Sequence, residues 1–322
     1  MSSVILSILF VSLAPTTTRN SGLREPAKKD IAMQLVSAAE NSSLDWKAQY
    51  AYVEYNVEHN EKENRGYTAG IIGFTSRTHD MLELVTHYVS VAPDDNALAP
   101  FLDALRKVDG TPSTDGLGEP FVRAWKKAAE DPRFRAAQDH ERDRVYFDPA
   151  VDRAIGDGLQ ELGQFMYYDA AVMHGSCEAI RRRAMKKTKT PAQGGDERAY
   201  LKAFLDERRA EMKREQGHQD TTRVDTMQRK FLDEGNLTLT PPLEFKVYGD
   251  AYRIGGMEDR GWRIEDVARR RSRASVRTPR RGRASVLRRA APDPSARRTG
   301  DPGLRGVPLS ARRGARCETI VR

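Results

Sequence analysis

The order of apolar and polar positions predicts a chain that is helical over most of its length. A first helix is expected to begin at Pro26, because the fixed φ of proline suits a first helical turn. Ala32, Leu35, Val36 and Ala39 give this helix an apolar stripe at helical spacing. Similar patterns predict further helices over residues 80–89, 97–108, 119–129, 133–144, 149–174, 179–186, 197–215 and 222–233. The helix over 149–174 is predicted to be the longest of them.

Two short stretches have a different pattern, rich in aromatic and β-branched residues, and are predicted to be strands. They cover residues 50–55 and 67–74, and the polar residues 56–64 between them predict a turn. Pro241 and Pro242 end the helical part, and residues 243–248 form a last candidate strand. The pattern therefore predicts a mainly α fold (α+β) with a small β-sheet.

The charge of the chain is unevenly distributed. The whole sequence of 322 residues has a formal net charge of +8, but residues 257–322 contain 19 Arg, no Lys and only 7 acidic residues, a net of +12. Residues 1–256 therefore have a net charge of −4. An acidic body attracts cationic ligands, whereas a basic segment attracts phosphate or anionic surfaces. Residues 257–322 are predicted to be disordered, because they contain too few apolar residues to form a core.

The Arg-rich segment allows two interpretations, a genuine cationic tail or a change of reading frame. Its one aromatic residue, Trp262, is too little to stack nucleic-acid bases, which argues against nucleic-acid binding by the tail. No nucleic-acid binding is expected for the acidic body either. If the tail does bind nucleic acid or anionic surfaces, deleting it should leave the chemistry of the body unchanged.

The two cysteines, Cys177 and Cys317, lie in different regions and do not indicate a disulfide framework. The six histidines show no spacing typical of a zinc site, and the sequence contains no CxxC, HExxH or phosphate-binding glycine loop. No metal and no cofactor are therefore expected. An apolar run over residues 4–14 is too short to span a bilayer and resembles the core of a signal peptide, which predicts a secreted, extracellular protein. An unprocessed apolar arm is the alternative.

Glu40 and Glu63 are candidates for the two carboxyl groups of an acid/base pair. Glu40 follows Val36 by four residues and shares the apolar stripe of the first helix, and Glu63 lies 23 residues later in the polar turn. An apolar environment favours the protonated form of a carboxyl group, as a proton donor requires, while a solvated carboxylate can activate water. Alternatively, Glu40 is a helix-end glutamate that is bound to backbone or to an arginine.

Seven stretches between about residues 25 and 254 carry a recognisable pattern, namely residues 31–37, 40–50, 65–74, 141–147, 163–170, 190–197 and 223–226. In these stretches the chain resembles the chitosanases of glycoside hydrolase family 46. The resemblance implies a lysozyme-like fold with two mostly helical lobes, a small sheet and a substrate cleft between the lobes. It also implies hydrolysis within β-1,4-linked glucosamine chains with inversion at the anomeric carbon, for which the two carboxyl groups stand about 6.5–9.5 Å apart or more.

The resemblance assigns a catalytic role to three residues. Glu40 matches the general acid, and Thr68 matches a threonine that orients the attacking water. Glu63 occupies the position of the family's general base, which is an aspartate in the family, and the turn around it is about five residues longer here. Glu58 and Glu61 are neighbouring candidates for the base, although neither keeps the spacing to Arg65.

The resemblance also assigns residues that bind or support. Asp80 and Glu215 match carboxylates that contact the amino sugar, and Arg65 supports the turn beside the substrate. Asp80 can also cap the helix that starts there. A buried ionic network that orients the acid is implied at three further positions, Asp169, Arg208 and Arg223. Taken alone, Arg208 could equally lie on a solvated helix face.

These observations predict three segments. Residues 1–24 are a signal-like segment and linker, 25–256 the two-lobed chitosanase domain, and 257–322 the Arg-rich tail. The predicted function is that of a secreted, monomeric, inverting endo-chitosanase, a hydrolase that cleaves the polycationic polymer chitosan and has no membrane span. The alternative is a chitosan-binding protein with weak or lost catalysis, because the base, its turn and a shortened loop at residues 174–179 depart from the family pattern.

Overall fold

The structure is a computed structural model that describes residues 22–57, 64–215 and 219–255. The predicted signal-like segment and the Arg-rich tail lie outside these residues, apart from the linker's last three residues, and so do Glu58, Glu61 and Glu63. Described residues up to Ile254 belong to one compact unit. None of the described helices is long and apolar enough to cross a membrane.

Helices dominate the described part, as the pattern predicts. The α-helices are α1 Pro26–Asn41, α2 Asp80–Val91, α3 Leu102–Val108, α4 Gly118–Ala128, α5 Pro132–Arg142, α6 Asp148–Gly156, α7 Glu161–His174, α8 Glu178–Met185, α9 Glu197–Arg214 and α10 Arg229–Asp233. Two π-helical segments, Asp143–Phe147 and Arg223–Gln228, precede α6 and α10. Short 3₁₀ helices lie at Gly22–Arg24, Trp46–Ala51, Ala99–Phe101 and Pro191–Gln193.

The strands form two small antiparallel sheets. The strands are β1 Val53–Tyr55, β2 Tyr67–Ala69, β3 Phe74–Thr75, β4 Leu243–Val247 and β5 Asp250–Ile254. The first sheet has the order β1-β2-β3 and pairs Glu54 with Thr68 and Thr68 with Thr75. The second sheet is the hairpin β4-β5. The predicted mainly α fold with a small sheet is thus confirmed.

Several predicted boundaries are wrong. The predicted helix over 149–174 is two helices, α6 and α7, separated by a turn at which Gly158 has a φ of +79°. The turn is fixed by Asp157, whose carboxylate accepts hydrogen bonds from Arg181 (2.6 Å) and from the Tyr167 hydroxyl (2.8 Å). A β-carbon on Gly158 would lie 2.9 Å from the backbone nitrogen of Ala192, so only glycine fits there.

The predicted strands are also shorter than expected. The first predicted strand begins with 3₁₀ helix up to Ala51, and the second is interrupted by a turn in which Gly70 and Gly73 have positive φ. The strand β5 was not predicted at all. At the other end of the domain, Gly22–Arg24 is not part of a linker, because the backbone N–H of Leu23 donates to Gln164 (2.7 Å) and Leu23 is buried.

Two groups of buried apolar side chains make up the core. The larger core contains residues from α1, α6 to α10 and the hairpin, and the smaller core contains residues from the first sheet and α2 to α5. The helical stretch from α5 to α6 contributes to both, since Phe134 belongs to the smaller core and Phe147 to the larger. Trp46 packs against both cores. The candidate catalytic and binding residues are accordingly held by two packed groups of helices.

Candidate active site

Glu40 lies in the last turn of α1, where Ser42 ends the helix in a left-handed conformation. Its side chain is 37% exposed and pairs with the Nη1 atom of Arg223. The predicted desolvation of Glu40 by the apolar stripe is therefore wrong. The stripe faces the larger core, whereas the carboxylate reaches Arg223 and solvent. The alternative of a helix-end glutamate bound to an arginine describes the geometry.

Asp169 and two arginines form a fully buried ionic network behind Glu40. Asp169 on α7 accepts from Arg223 (Nη2 at 2.6 Å, Nε at 3.0 and 3.1 Å) and from Arg208 on α9 (Nη1 at 2.6 Å). Gln228 also donates to Asp169 (2.6 Å) and accepts from Arg208 (3.0 Å). The side chains of Asp169 and Arg208 are 0% exposed, so the solvated-helix interpretation of Arg208 is wrong.

Charge balance explains why these groups can be buried together. Burial alone would raise the pKa of Asp169, but Arg223 and Arg208 outweigh it and hold the pKa at about 2. Burial opposes the charge of Arg223, yet Asp169 and Glu40 together raise its pKa. For Arg208, burial lowers the pKa against the opposing effect of Asp169. The network therefore stays ionised at neutral pH and holds the guanidinium of Arg223 rigidly against Glu40.

Tyr248 is a further residue near Glu40 that the sequence did not single out. It occupies the β4-β5 turn with a φ of +53°, and its backbone N–H donates to the Thr222 hydroxyl (3.0 Å), one residue before Arg223. Burial raises the pKa of its phenol, with Arg223 lowering and Glu40 raising it further. The phenol thus lies within electrostatic range of the candidate acid. Its position depends on the hairpin, whose second strand was not predicted.

The second group of candidate residues surrounds the first sheet. Thr68 is the middle residue of β2, and its hydroxyl oxygen is buried with no hydrogen-bond partner among the described residues. A buried hydroxyl without a partner is unusual and requires an explanation. Arg65 is exposed, and its carbonyl accepts from the backbone of Arg77 (3.2 Å). The Arg77 side chain donates to the carbonyl of Asn64 (2.9 Å), so it fixes the turn at the point where the described chain resumes.

Asp80 is the first residue of α2 and is oriented through one carboxylate oxygen. Its Oδ1 atom accepts from the backbone of Thr75 and Met81 and from the hydroxyl of Thr78, each at 2.9 Å. Burial raises the pKa of Asp80 to about 6 despite these hydrogen bonds. No hydrogen bond to Oδ2 is made by the described residues, which leaves this oxygen for a ligand. His79, with a φ of +69°, precedes the helix as its N-cap.

Tyr146 is a further residue whose pKa responds to both Asp80 and Arg65. It lies in the π-helical segment Asp143–Phe147, and its pKa is raised to about 12, first by burial and then by Asp80, with Arg65 opposing. The two predicted binding residues therefore share a neighbourhood around one phenol. Tyr146 belongs to the matching stretch 141–147, and this was the signal in the sequence that could have identified it.

Glu215 ends α9 and is oriented by a histidine. Both of its carboxylate oxygens lie within hydrogen-bonding distance of Nδ1 of His174, at 2.9 and 3.1 Å. His174 is almost fully buried, and Glu215 is 32% exposed. The shortened loop that follows His174 buries Cys177 in the larger core, which gives this cysteine a packing role.

The structure thus supports three groups of residues: Glu40 with its network, Thr68 and Arg65 with Asp80, and Glu215 with His174. The site contains a solvent-accessible carboxyl group held by an arginine and carboxylates placed for cationic ligands. Glu63 lies outside the described residues, so its role as the base stays a prediction.

Comparison with known proteins identifies the family. Residues 34–243 match the model of glycosyl hydrolase family 46. A chitosanase from a Streptomyces species is 60% identical over 240 residues, which are 73% of this chain and 84% of that protein. A Bacillus subtilis chitosanase is 33% identical over 262 residues, which are 76% of this chain and 91% of that protein.

Solved structures give the same result. One chitosanase complex superposes with a TM-score of 0.68 at 51% identity, covering 73% of this chain and 99% of the solved chain. A chitosanase of Gynuella sunshinyii in complex with chitotetraose superposes with a TM-score of 0.62 at 34% identity, covering 70% and 96%. Together with the geometry of the site, these matches show that the chain belongs to glycosyl hydrolase family 46.

Proposed function

We propose that this glycoside hydrolase cleaves chitosan internally and with inversion, using Glu40 as the general acid. The observation that carries the proposal is the position of Glu40. It is exposed enough to reach a substrate and is bound by Arg223, which is itself fixed by buried Asp169. The identity of 60% to a chitosanase supports the substrate, and it favours catalysis over chitosan binding alone.

The proposed reaction assigns one task to each residue. Glu40 gives its proton to the glycosidic oxygen, and Glu63 takes a proton from the attacking water on the opposite face of the sugar. The Thr68 hydroxyl, which lacks a partner in the described residues, forms a hydrogen bond with that water as donor or acceptor. Asp80 and Glu215 pair with ammonium groups of the substrate, because a carboxylate that is already oriented loses little entropy on binding.

Four matched amide variants test the carboxylates. The rate of reducing-end release from chitosan should fall by at least about a thousandfold in Glu40→Gln and strongly in Glu63→Gln, because each loses proton transfer. Glu58→Gln and Glu61→Gln are the controls in the same turn. Normal activity in Glu63→Gln together with loss in Glu58→Gln or Glu61→Gln would assign the base to that other residue.

Inversion has its own test. Proton NMR of the first products should show the α-anomer released from the β-linked polymer; initial release of the β-anomer would contradict the inverting mechanism. Chitosan binding by Glu40→Gln, measured by calorimetry, should remain close to that of the wild type, which separates chemistry from binding.

We also propose that the protein is secreted and acts as a monomer. The apolar run over residues 4–14 supports export, and mass spectrometry of protein recovered from the culture medium tests it through the position of the new N-terminus. Sedimentation of the purified chain tests the monomer. Deletion after Gly256 should leave hydrolysis unchanged, and loss of activity would show that the Arg-rich segment belongs to the catalytic domain.

A further inference from the structure

Two imidazole rings and a carboxylate converge on α2 and α5, outside the residues assigned to the reaction. His87 lies on α2, and His140 and Glu141 are consecutive residues of α5. The two rings stack with their centroids 4.6 Å apart and their planes at 24°. One nitrogen from each ring and one oxygen of Glu141 all lie within 4.8 Å of one another. The spacing along the sequence gave no sign of this group, because the two histidines are 53 residues apart.

The hydrogen bonds of this group leave ligand atoms available. Glu141 is 5% exposed, and its Oε2 atom accepts from Nε and Nη2 of Arg144 at 2.9 and 2.6 Å. Its Oε1 atom makes no hydrogen bond with the described residues, and Nε2 of His140 lies 3.9 Å from it. Neither imidazole ring hydrogen-bonds to another described residue. One carboxylate oxygen and one nitrogen of each ring are therefore available as ligand atoms.

We propose that His87, His140 and Glu141 bind one divalent transition-metal ion of the zinc class. Imidazole nitrogen and carboxylate oxygen are typical zinc ligands, and two histidines with one glutamate are a known set that leaves a fourth position for water. Zinc bonds to these atoms measure about 2.0–2.2 Å and the ion is tetrahedral, so two of its ligand atoms stand about 3.4 Å apart. The three atoms lie within 4.8 Å of one another, so binding needs a closure of up to about 1.4 Å, which a rotation of the exposed His140 side chain provides.

The charges around the group are compatible with a cation. The nearest positive group, Arg144, binds Glu141 and also the carboxylate of Glu83 (2.8 Å). One guanidinium thus faces two carboxylates, which leaves a net charge of −1 beside the two imidazoles.

The ion would connect two helices of the smaller core. Tyr88 and Phe134, which follow and precede the proposed ligands on α2 and α5, pack with ring centroids 4.7 Å apart. The helices are therefore already in contact, and binding needs no large rearrangement. Because α2 begins at Asp80, the ion would fix the helix that presents this carboxylate. This inference is independent of the proposed reaction.

Titration of the full, untagged chain with zinc chloride tests the proposal. Isothermal calorimetry after dialysis against a chelator should show one ion per chain with a dissociation constant below about 10 μM. His87→Gln and His140→Gln should each weaken binding at least tenfold, since each removes one of three ligands. His79→Gln is the control, because the imidazole of His79 pairs with Asp109 and lies outside the proposed group of ligands. Zinc should also raise the melting temperature of the wild type and not that of the two variants.

The two histidine variants must be shown to fold like the wild type before their zinc affinities are compared. Their melting temperatures in chelator should match the wild type, which shows that the fold is intact. Glu141→Gln also loses the Arg144 pair and is therefore secondary to the two histidine variants. Stoichiometric binding that survives both histidine substitutions, or binding no tighter than about 1 mM, would overturn the proposal.

Discussion

Replacing Asp169 by Asn tests the reasoning about the buried network most directly. The substitution removes one negative charge and keeps the size of the side chain. It leaves the guanidiniums of Arg208 and Arg223, with side chains 0% and 2% exposed, without their shared carboxylate. Arg223 would retain Glu40 as its only anionic partner among the residues described.

The magnitude follows from two estimates. The pKa of Asp169 is held at about 2, against 3.8 for an unperturbed aspartate. At about 1.36 kcal/mol per pKa unit, this difference corresponds to about 2–3 kcal/mol of stability at neutral pH. Removal of one partner from a buried ion pair costs about 3–5 kcal/mol in other proteins. We expect the free energy of unfolding to fall by about 2–5 kcal/mol, a large part of the 5–15 kcal/mol typical of a domain.

Urea unfolding at pH 7 measures the loss, and Asp206→Asn is the matched control. Asp206 also pairs with an arginine, Arg229 at 2.8 Å, but its side chain is 49% exposed, so the control should lose no more than about 1 kcal/mol. The catalytic readout is kcat, which should fall for Asp169→Asn because Arg223, no longer fixed by Asp169, holds Glu40 in a less defined position, while KM changes less.

The direction in which stability changes with pH follows from the direction of the pKa shift of Asp169. The folded-state pKa of Asp169 is depressed, so its contribution is complete above about pH 4 and is lost as the pH falls toward 2. The stability gap between wild type and Asp169→Asn should narrow over that interval. A loss at pH 7 no larger than that of Asp206→Asn, or a gap that does not change with pH, would refute the argument from uncompensated buried charge.

Three further predictions concern the first sheet and its surroundings. Asp80→Asn should keep the fold, because the amide oxygen can still accept the three hydrogen bonds to Oδ1. We expect kcat/KM of the wild type to fall as the pH drops through about 6, where Asp80 is protonated, and Asp80→Asn should remove this fall. Thr68→Val should change the free energy of unfolding by less than about 1 kcal/mol, because no described hydrogen bond is lost, but lower kcat at least tenfold if the hydroxyl orients water. Gly66→Ala should cost about 2–3 kcal/mol in urea unfolding, because its β-carbon would lie 2.2 Å from the Ser76 hydroxyl at a φ of +75°, whereas Gly110→Ala, with a φ of +80° and open space, should cost about 1 kcal/mol.

Local signals along the chain predicted the ends of several helices. Pro26 starts α1 as expected, with the side chain of Glu25 accepting from the backbone of Lys28 (2.9 Å). The helix predicted over 197–215 is α9, Glu197–Arg214, which begins where Asp196 accepts from the backbone of Ala199 (2.8 Å). Caps act within three or four residues, so they can be recognised from the sequence alone.

Features set by distant residues could not be predicted in this way. The apolar stripe over 149–174 continues without a break past Gly158. Hydrophobic periodicity contains no information about a positive φ, so the turn at this glycine could not be predicted from it. The burial of Arg208 depends on Asp169, 39 residues away, and the contact of Arg223 with Glu40 joins residues 183 positions apart. Their assignment came from the family resemblance. Arg208 itself, within a charged stretch of α9, equally predicted a solvated face.

The two π-helical segments show why helical periodicity fails near the site. In Asp143–Phe147 the backbone N–H of Asp148 reaches back five residues to Asp143, which widens the turn just before Pro149. A proline at that position would clash with a regular α-helical turn, so the wide turn lets the helix continue from α5 into α6. The extra residue also shifts the order of side chains around the axis, so that Phe147 is buried in the larger core and Tyr146 packs against it, with Asp80 raising the pKa of Tyr146. The segment Arg223–Gln228 likewise begins with the arginine that holds Glu40. Both wide turns therefore carry a side chain of the site, and a stripe with a period of 3.6 residues cannot predict where such a side chain points.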